Sequence, residues 1–151
     1  MIPTHALGIN GTTWMDLQEI DKGKVHDFTK MLQRLDGNEL YSLILWKLPP
    51  GKSLDEAAPK RNATEYIQSA GSADRMTVEV RRKNGAGVEH FVVGRPNGGN
   101  TGKRETIHWD SAETVVAPNE VFDATEAAEL FTSYHRTGWV PSNYVLRPTS
   151  T

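Results

Sequence analysis

No cysteine occurs among the 151 residues of this chain. That one absence removes disulfide frameworks, cysteine-ligated zinc, iron–sulfur clusters and thiol nucleophiles together. It fits a reducing compartment and gives no sign of secretion. Long apolar runs are missing as well. The longest, around Leu43–Trp46, falls far short of the roughly 20 residues of a membrane-spanning helix. The opening Met1-Ile2-Pro3-Thr4-His5 carries neither a basic cluster nor an apolar stretch behind it, so no secretory leader is expected and the expected location is cytoplasmic. In that setting the glycosylation-like triplets at Asn10 and Asn62 read as coincidence. A basic excess is also lacking. Seventeen Lys and Arg face nineteen Asp and Glu, a net charge of −2, which argues against a dedicated nucleic-acid binder and for a neutral or basic partner.

What is present describes one domain spanning residues 1–151. At 37% hydrophobic and 24% charged, the composition is globular and not disordered. A chain of this length buries roughly two-thirds of the surface its unfolded form exposes, enough for a core without covalent staples.

Along the chain, residues 1–21 hold one or two short strands. Asp21 then caps a helix whose Val25, Phe28, Leu32 and Leu35 share one face, with Gly37 as its stop. Leu40–Leu48 reads as a central strand, apolar on both faces and ended by Pro49-Pro50-Gly51. Asn62 and Glu65 form a capping-box pattern that predicts a short helix through Ser69, stopped by Gly71. Met76, Val78 and Val80 alternate with Thr77, Glu79 and Arg81 as a half-buried strand, and Val88–Gly94 is its hairpin partner across Lys83–Gly87. After a turn at Asn97–Gly102, Glu105–Trp109 continues as the third strand of a meander, extended by Thr114–Val116. The clearest element is a helix capped by Asp123, with Glu126 three residues on, a stripe of Ala124, Ala127, Ala128, Phe131 and Tyr134, and Gly138 as its stop. Asn143–Arg147 is a last short strand. The expected class is α+β: an antiparallel sheet of hairpins with two main helices packed on it.

Motifs that carry chemistry are scarce. Gly102-Lys103 resembles the end of a phosphate-binding loop, but Asn97 stands where its first glycine belongs and Arg104 where Ser or Thr belongs. A strand, not a helix, follows. No G-x-G-x-x-G, G-x-S-x-G or H-E-x-x-H pattern occurs. His90 and His108 lie on strands expected to pair or neighbour each other, with Glu89 and Glu105 close by. A metal or acid–base pair could form there, though a solvated sheet face is the ordinary role for such residues. Asp55-Glu56 and Glu126 with Glu129 read as helix-surface or cap carboxylates. Asp110 and Glu113, in a connection after a strand, are the acidic pair whose position suggests function. Four tryptophans stand out. Trp46 belongs to the core, while Trp109 and Trp139 divide between edge-of-core packing and a binding surface.

Val115-Val116-Ala117-Pro118-Asn119-Glu120-Val121-Phe122-Asp123-Ala124 runs into Glu126-Ala127-Ala128-Glu129-Leu130-Phe131, then Tyr134, Thr137-Gly138, Pro141 and Leu146. This strand, helix start, apolar-aromatic helix and glycine–proline corner before a last strand resemble the small immunity proteins of the deaminase-toxin-associated family in bacterial polymorphic toxin systems. Members of that family usually end with a tryptophan in the last strand, where this chain has Val145 and Leu146. The resemblance implies a cytosolic antidote without catalytic residues or cofactors, which binds a cognate toxin domain, often one attacking nucleic acid, and blocks its active site. On that reading the partner-binding residues are Glu105, Trp109, Asp110 and Glu113, with Trp139 added, on an acidic face that bears aromatics and suits a basic toxin. Two other readings stay open. One is a binding or scaffold module with no toxin partner. The other is a small enzyme using His108 with Glu105.

Overall fold

The computed structural model describes residues 5–10, 13–17, 28–48, 65–96 and 102–149. Seven strands form one antiparallel sheet: β1 (His5–Ile9), β2 (Thr13–Leu17), β3 (Ser42–Lys47), β4 (Tyr66–Ser72), β5 (Arg75–Asn84), β6 (Gly87–Gly94) and β9 (Val145–Thr149), in the order β2-β1-β3-β4-β5-β6-β9. A separate two-stranded sheet joins β7 (Glu105–Trp109) to β8 (Ala112–Val116). Two helices, α1 (Thr29–Leu32) and α2 (Ala124–Thr137), and a single 3-10 turn at Pro118–Glu120 complete the described elements. The α+β class expected from the sequence is the class observed. Among the described residues, no helix is long and apolar enough to cross a membrane.

The side-chain alternation of the strands sorts the sheet into two faces. On one, the register lines up Leu7, Leu45, Ile67, Val80 and Phe91 as a row across five strands. Both helices close over this row. Phe28 and Leu32 from the α1 region meet Ala127, Leu130, Phe131 and Tyr134 of α2, and the Phe28 and Phe131 rings lie 5.7 Å apart. The Asp123 side chain accepts from the Glu126 amide, and Gly138 closes the helix in the left-handed conformation with its N–H on the Tyr134 carbonyl. The Glu126 carboxylate does not turn back to the cap. It takes Arg95 Nε and Nη2 at 2.9 and 2.6 Å and the Tyr144 hydroxyl at 3.1 Å.

Three expectations are corrected. Residues 66–72 are strand and not helix: pairing between β3 and β5 buries Ile67, Ser69 and Ala70, and that tertiary demand overrides the capping pattern. Glu105–Trp109 does not continue the meander, because the open side of β6 is taken by β9 through Phe91 opposite Pro148. The strand pairs instead with 112–116, as a hairpin laid against the sheet. His90 and His108 are therefore not neighbours. His90 sits opposite Arg81 and Thr149, and its Nε2 meets Glu79 at 2.9 Å. The Asp21 cap, Val25, the Pro49-Pro50-Gly51 stop, Asp55-Glu56, Asn62 and most of the Asn97–Gly102 turn lie outside the described residues.

Candidate functional site

Four of the five residues expected to bind a partner fall on the β7–β8 hairpin, and its alternation divides them. Glu105, Ile107 and Trp109 share one side with Thr114 and Val116 opposite, while Thr106 and His108 share the other with Val115 and Glu113. The first side is the anchor. Ile107 and Val116 are buried against Val92. Gly71 of β4 makes room for this contact: a Cβ there would stand 2.8 Å from Ile107 Cγ2 and 2.3 Å from the Arg75 carbonyl, and its φ is +130°. Glu105 accepts from Arg75 Nη1 at 2.9 Å, and Arg75 Nη2 donates to the Thr106 carbonyl. Trp109 tilts against Tyr41 at 6.0 Å, and its Nε1 donates to Thr114 Oγ1. Glu105 and Trp109 thus hold the hairpin in place.

The tip and the second side face outward. Trp109 pairs with Ala112, leaving Asp110-Ser111 as a two-residue loop in which Asp110 takes a positive φ of 56°. Its N–H donates to the Gly37 carbonyl at 2.8 Å, tying the tip to the loop after α1. That loop carries Asp36 and Glu39, both exposed, as are Asp110 and Glu113. Asp36 accepts from the amides of Asn38 and Leu40, which hold its carboxyl below the ordinary range. His108 Nδ1 lies 3.5 Å from Glu113 Oε2, across the hairpin. Its expected companion Glu105 is on the opposite side, so the His108–Glu105 pair does not form.

Trp139 stands apart from this group. It packs edge-on against Phe91 on the helix-covered face, with the Arg82 guanidinium 4.6 Å from its ring centre. Arg82 and the Arg75 that holds Glu105 are seven residues apart on β5, roughly 23 Å at strand spacing.

Beside the hairpin lies a cleft of about 470 Å³ between β8 and β9, whose lining includes Arg104, Val115, Asn119, Glu120, Val145 and Arg147. Gly94 seats the 3-10 turn directly on β6, since a Cβ there would come within 2.8 Å of Asn119 Nδ2. Glu120 is consequently buried. It takes Arg147 Nε and Nη2 at 2.7 and 3.1 Å and the Ala117 amide at 2.8 Å, and its hydrogen bond keeps the Arg147 guanidinium above its ordinary range. None of the residues expected to bind a partner is in this cleft. A carboxylate isolated within the apolar stretch Val115–Phe122 was the available signal, because a charge buried there needs a partner.

Among the described residues, no group of three or more His, Asp or Glu side chains is placed to hold a metal ion. No protein family, curated protein or solved structure matches the chain.

Proposed function

We propose that this chain is a protein-binding antidote that acts in the cytoplasm: an immunity protein that neutralises the toxin domain of a bacterial polymorphic toxin system. The observation that carries the reading is the acidic tip. The bond from Asp110 N–H to the Gly37 carbonyl ties the hairpin tip to the loop of Asp36 and Glu39, so exposed acidic residues from two distant segments gather at one end of the hairpin. The hairpin beneath is fixed by a buried isoleucine, an arginine–glutamate pair and a tryptophan hydrogen bond. A partner therefore meets a surface whose ordering is already complete. A toxin that acts on nucleic acid carries a basic active-site rim, and an acidic surface steers towards it and covers it.

The test is co-expression with the toxin domain encoded immediately upstream, followed by pull-down and growth rescue. Rescue with a one-to-one complex is expected, and Asp110→Lys combined with Glu113→Lys should weaken that complex at least tenfold. Both positions are exposed, and because Asp110 holds a positive φ of 56°, the circular dichroism of the double variant is matched to that of the native chain before binding is read. Toxicity without rescue, or affinity unchanged by the double reversal, overturns the assignment.

A further inference from the structure

We infer that the cleft between β8 and β9 binds an extended acidic segment of a protein partner, at a site distinct from the acidic tip and independent of whether the partner is a toxin. Three observations converge on it.

The first is apolar exposure. Among the described residues only Met15, Val115 and Val145 are large hydrophobics left substantially exposed, and two of these three line this cleft. They provide contact area for aliphatic side chains of an occupant.

The second is fixed charge. Glu120 occupies Arg147 Nε and Nη2, which orients the guanidinium and leaves Nη1 without a bond to it. Arg104 uses only Nη1, on the Lys103 carbonyl. Two guanidiniums thus line one cleft, while Glu120, the one carboxylate among its described lining residues, is already bonded to Arg147 and the Ala117 amide, and Glu79, whose charge also reaches Arg147, is paired with His90. The remaining donors match a carboxylate.

The third is an open strand edge. β9 is the terminal strand of the sheet and pairs only with β6 among the described residues, so its outer edge can pair with an extended segment, although Pro148 offers it no N–H. A carboxylate contact, aliphatic surface and a strand edge together describe a peptide.

The experiment is to pan the immobilised full-length chain against a displayed library of random octapeptides. The strongest selected sequence is then synthesised with blocked ends, together with its Asp/Glu→Asn/Gln counterpart. Enrichment of Asp or Glu flanked by β-branched residues is expected. Binding should fall at least tenfold for the neutral counterpart and for each of the variants Arg104→Glu and Val145→Asp, whose exposed positions leave the fold intact. It should survive Asp110→Lys with Glu113→Lys. A selection that yields no acidic enrichment, or a peptide that binds Arg104→Glu and Val145→Asp as well as it binds the native chain, overturns the inference. So does a peptide displaced by millimolar acetate or phosphate, since the cleft would then be a simple anion site.

Discussion

The two faces of the seven-stranded sheet are stabilised in different ways. The helix-covered face is a continuous apolar layer, from Leu7 through Leu45, Ile67 and Val80 to Phe91, sealed by aromatic and aliphatic side chains of α1 and α2. The other face changes character from strand to strand. Trp14 and Trp46 pack together over β1 and β3, Glu79 and His90 pair at its middle, Val92 lies under the hairpin, and Arg147 meets buried Glu120 at its far end. Apolar burial is non-directional and tolerates many partners. Ion pairs and close backbone approaches are directional, so the second face is where glycines at 71 and 94 and charges at 120 and 147 have no easy substitute. The cleft and the hairpin part of the tip belong to elements packed on that second face.

The largest effect is expected on the apolar face. Phe131→Ala removes a fully buried ring that meets Phe28, and should cost about 3–5 kcal/mol of unfolding free energy by denaturant titration. A cost below about 1.5 kcal/mol would mean that the helices are not what closes this face.

A buried histidine on the same face is its weak point in acid. His5, 8% exposed, lies edge-on to His135 at 4.8 Å and opposite Lys47, and burial with these two neighbours lowers its pKa to about 4. Between about 6.5 and about 4 the unfolded chain takes up a proton at His5 that the folded chain refuses. Stability attributable to this group is therefore complete above the unfolded value and is lost as pH falls towards 4. At 1.36 kcal/mol per pH unit the loss amounts to about 3 kcal/mol. Denaturant midpoints at pH 7.5 and 4.5 should draw closer together in His5→Leu than in the native chain. Equal pH dependence of the two proteins would dismiss His5 as the acid-sensitive group.

The contrast between the faces also explains what the sequence disclosed. The alternation in Met76–Arg81, the apolar run in β3 and the Asp123 and Gly138 caps of α2 are local patterns, and each is found as expected. The strand at 66–72 is hidden from the sequence because Asn62 and Glu65 imitate a helix start, whereas Ile67 is strand only because β3 and β5 flank it. The detachment of the hairpin depends on β9, some forty residues later, closing β6. Of the site residues, Asp110 and Glu113 were legible as a turn pair. Glu105 and Trp109 were legible as a cluster but not as the anchoring side of a hairpin, and nothing local separates Trp139 from them. The Glu120–Arg147 pair, 27 residues apart, has no periodic signal at all.

That pair supplies the smallest of the expected effects and the sharpest test of the second face. Glu120→Ala removes the acceptor for Arg147 and for the Ala117 amide together, and should cost about 2–3 kcal/mol. The figure stays below that of a fully buried pair because the Arg147 side chain remains 48% exposed and can be re-solvated. Glu120→Gln keeps an oxygen for the Ala117 amide and loses only the charge, so its cost should be roughly half as large. Measured by chemical denaturation, that ratio separates the two tasks of one carboxylate. If the two variants cost the same, the bond to the Ala117 amide contributes nothing and the pair with Arg147 alone holds the 3-10 turn on β6. If Glu120→Gln is neutral, the turn is held by backbone geometry over Gly94, and the second face relies on close approach more than on charge.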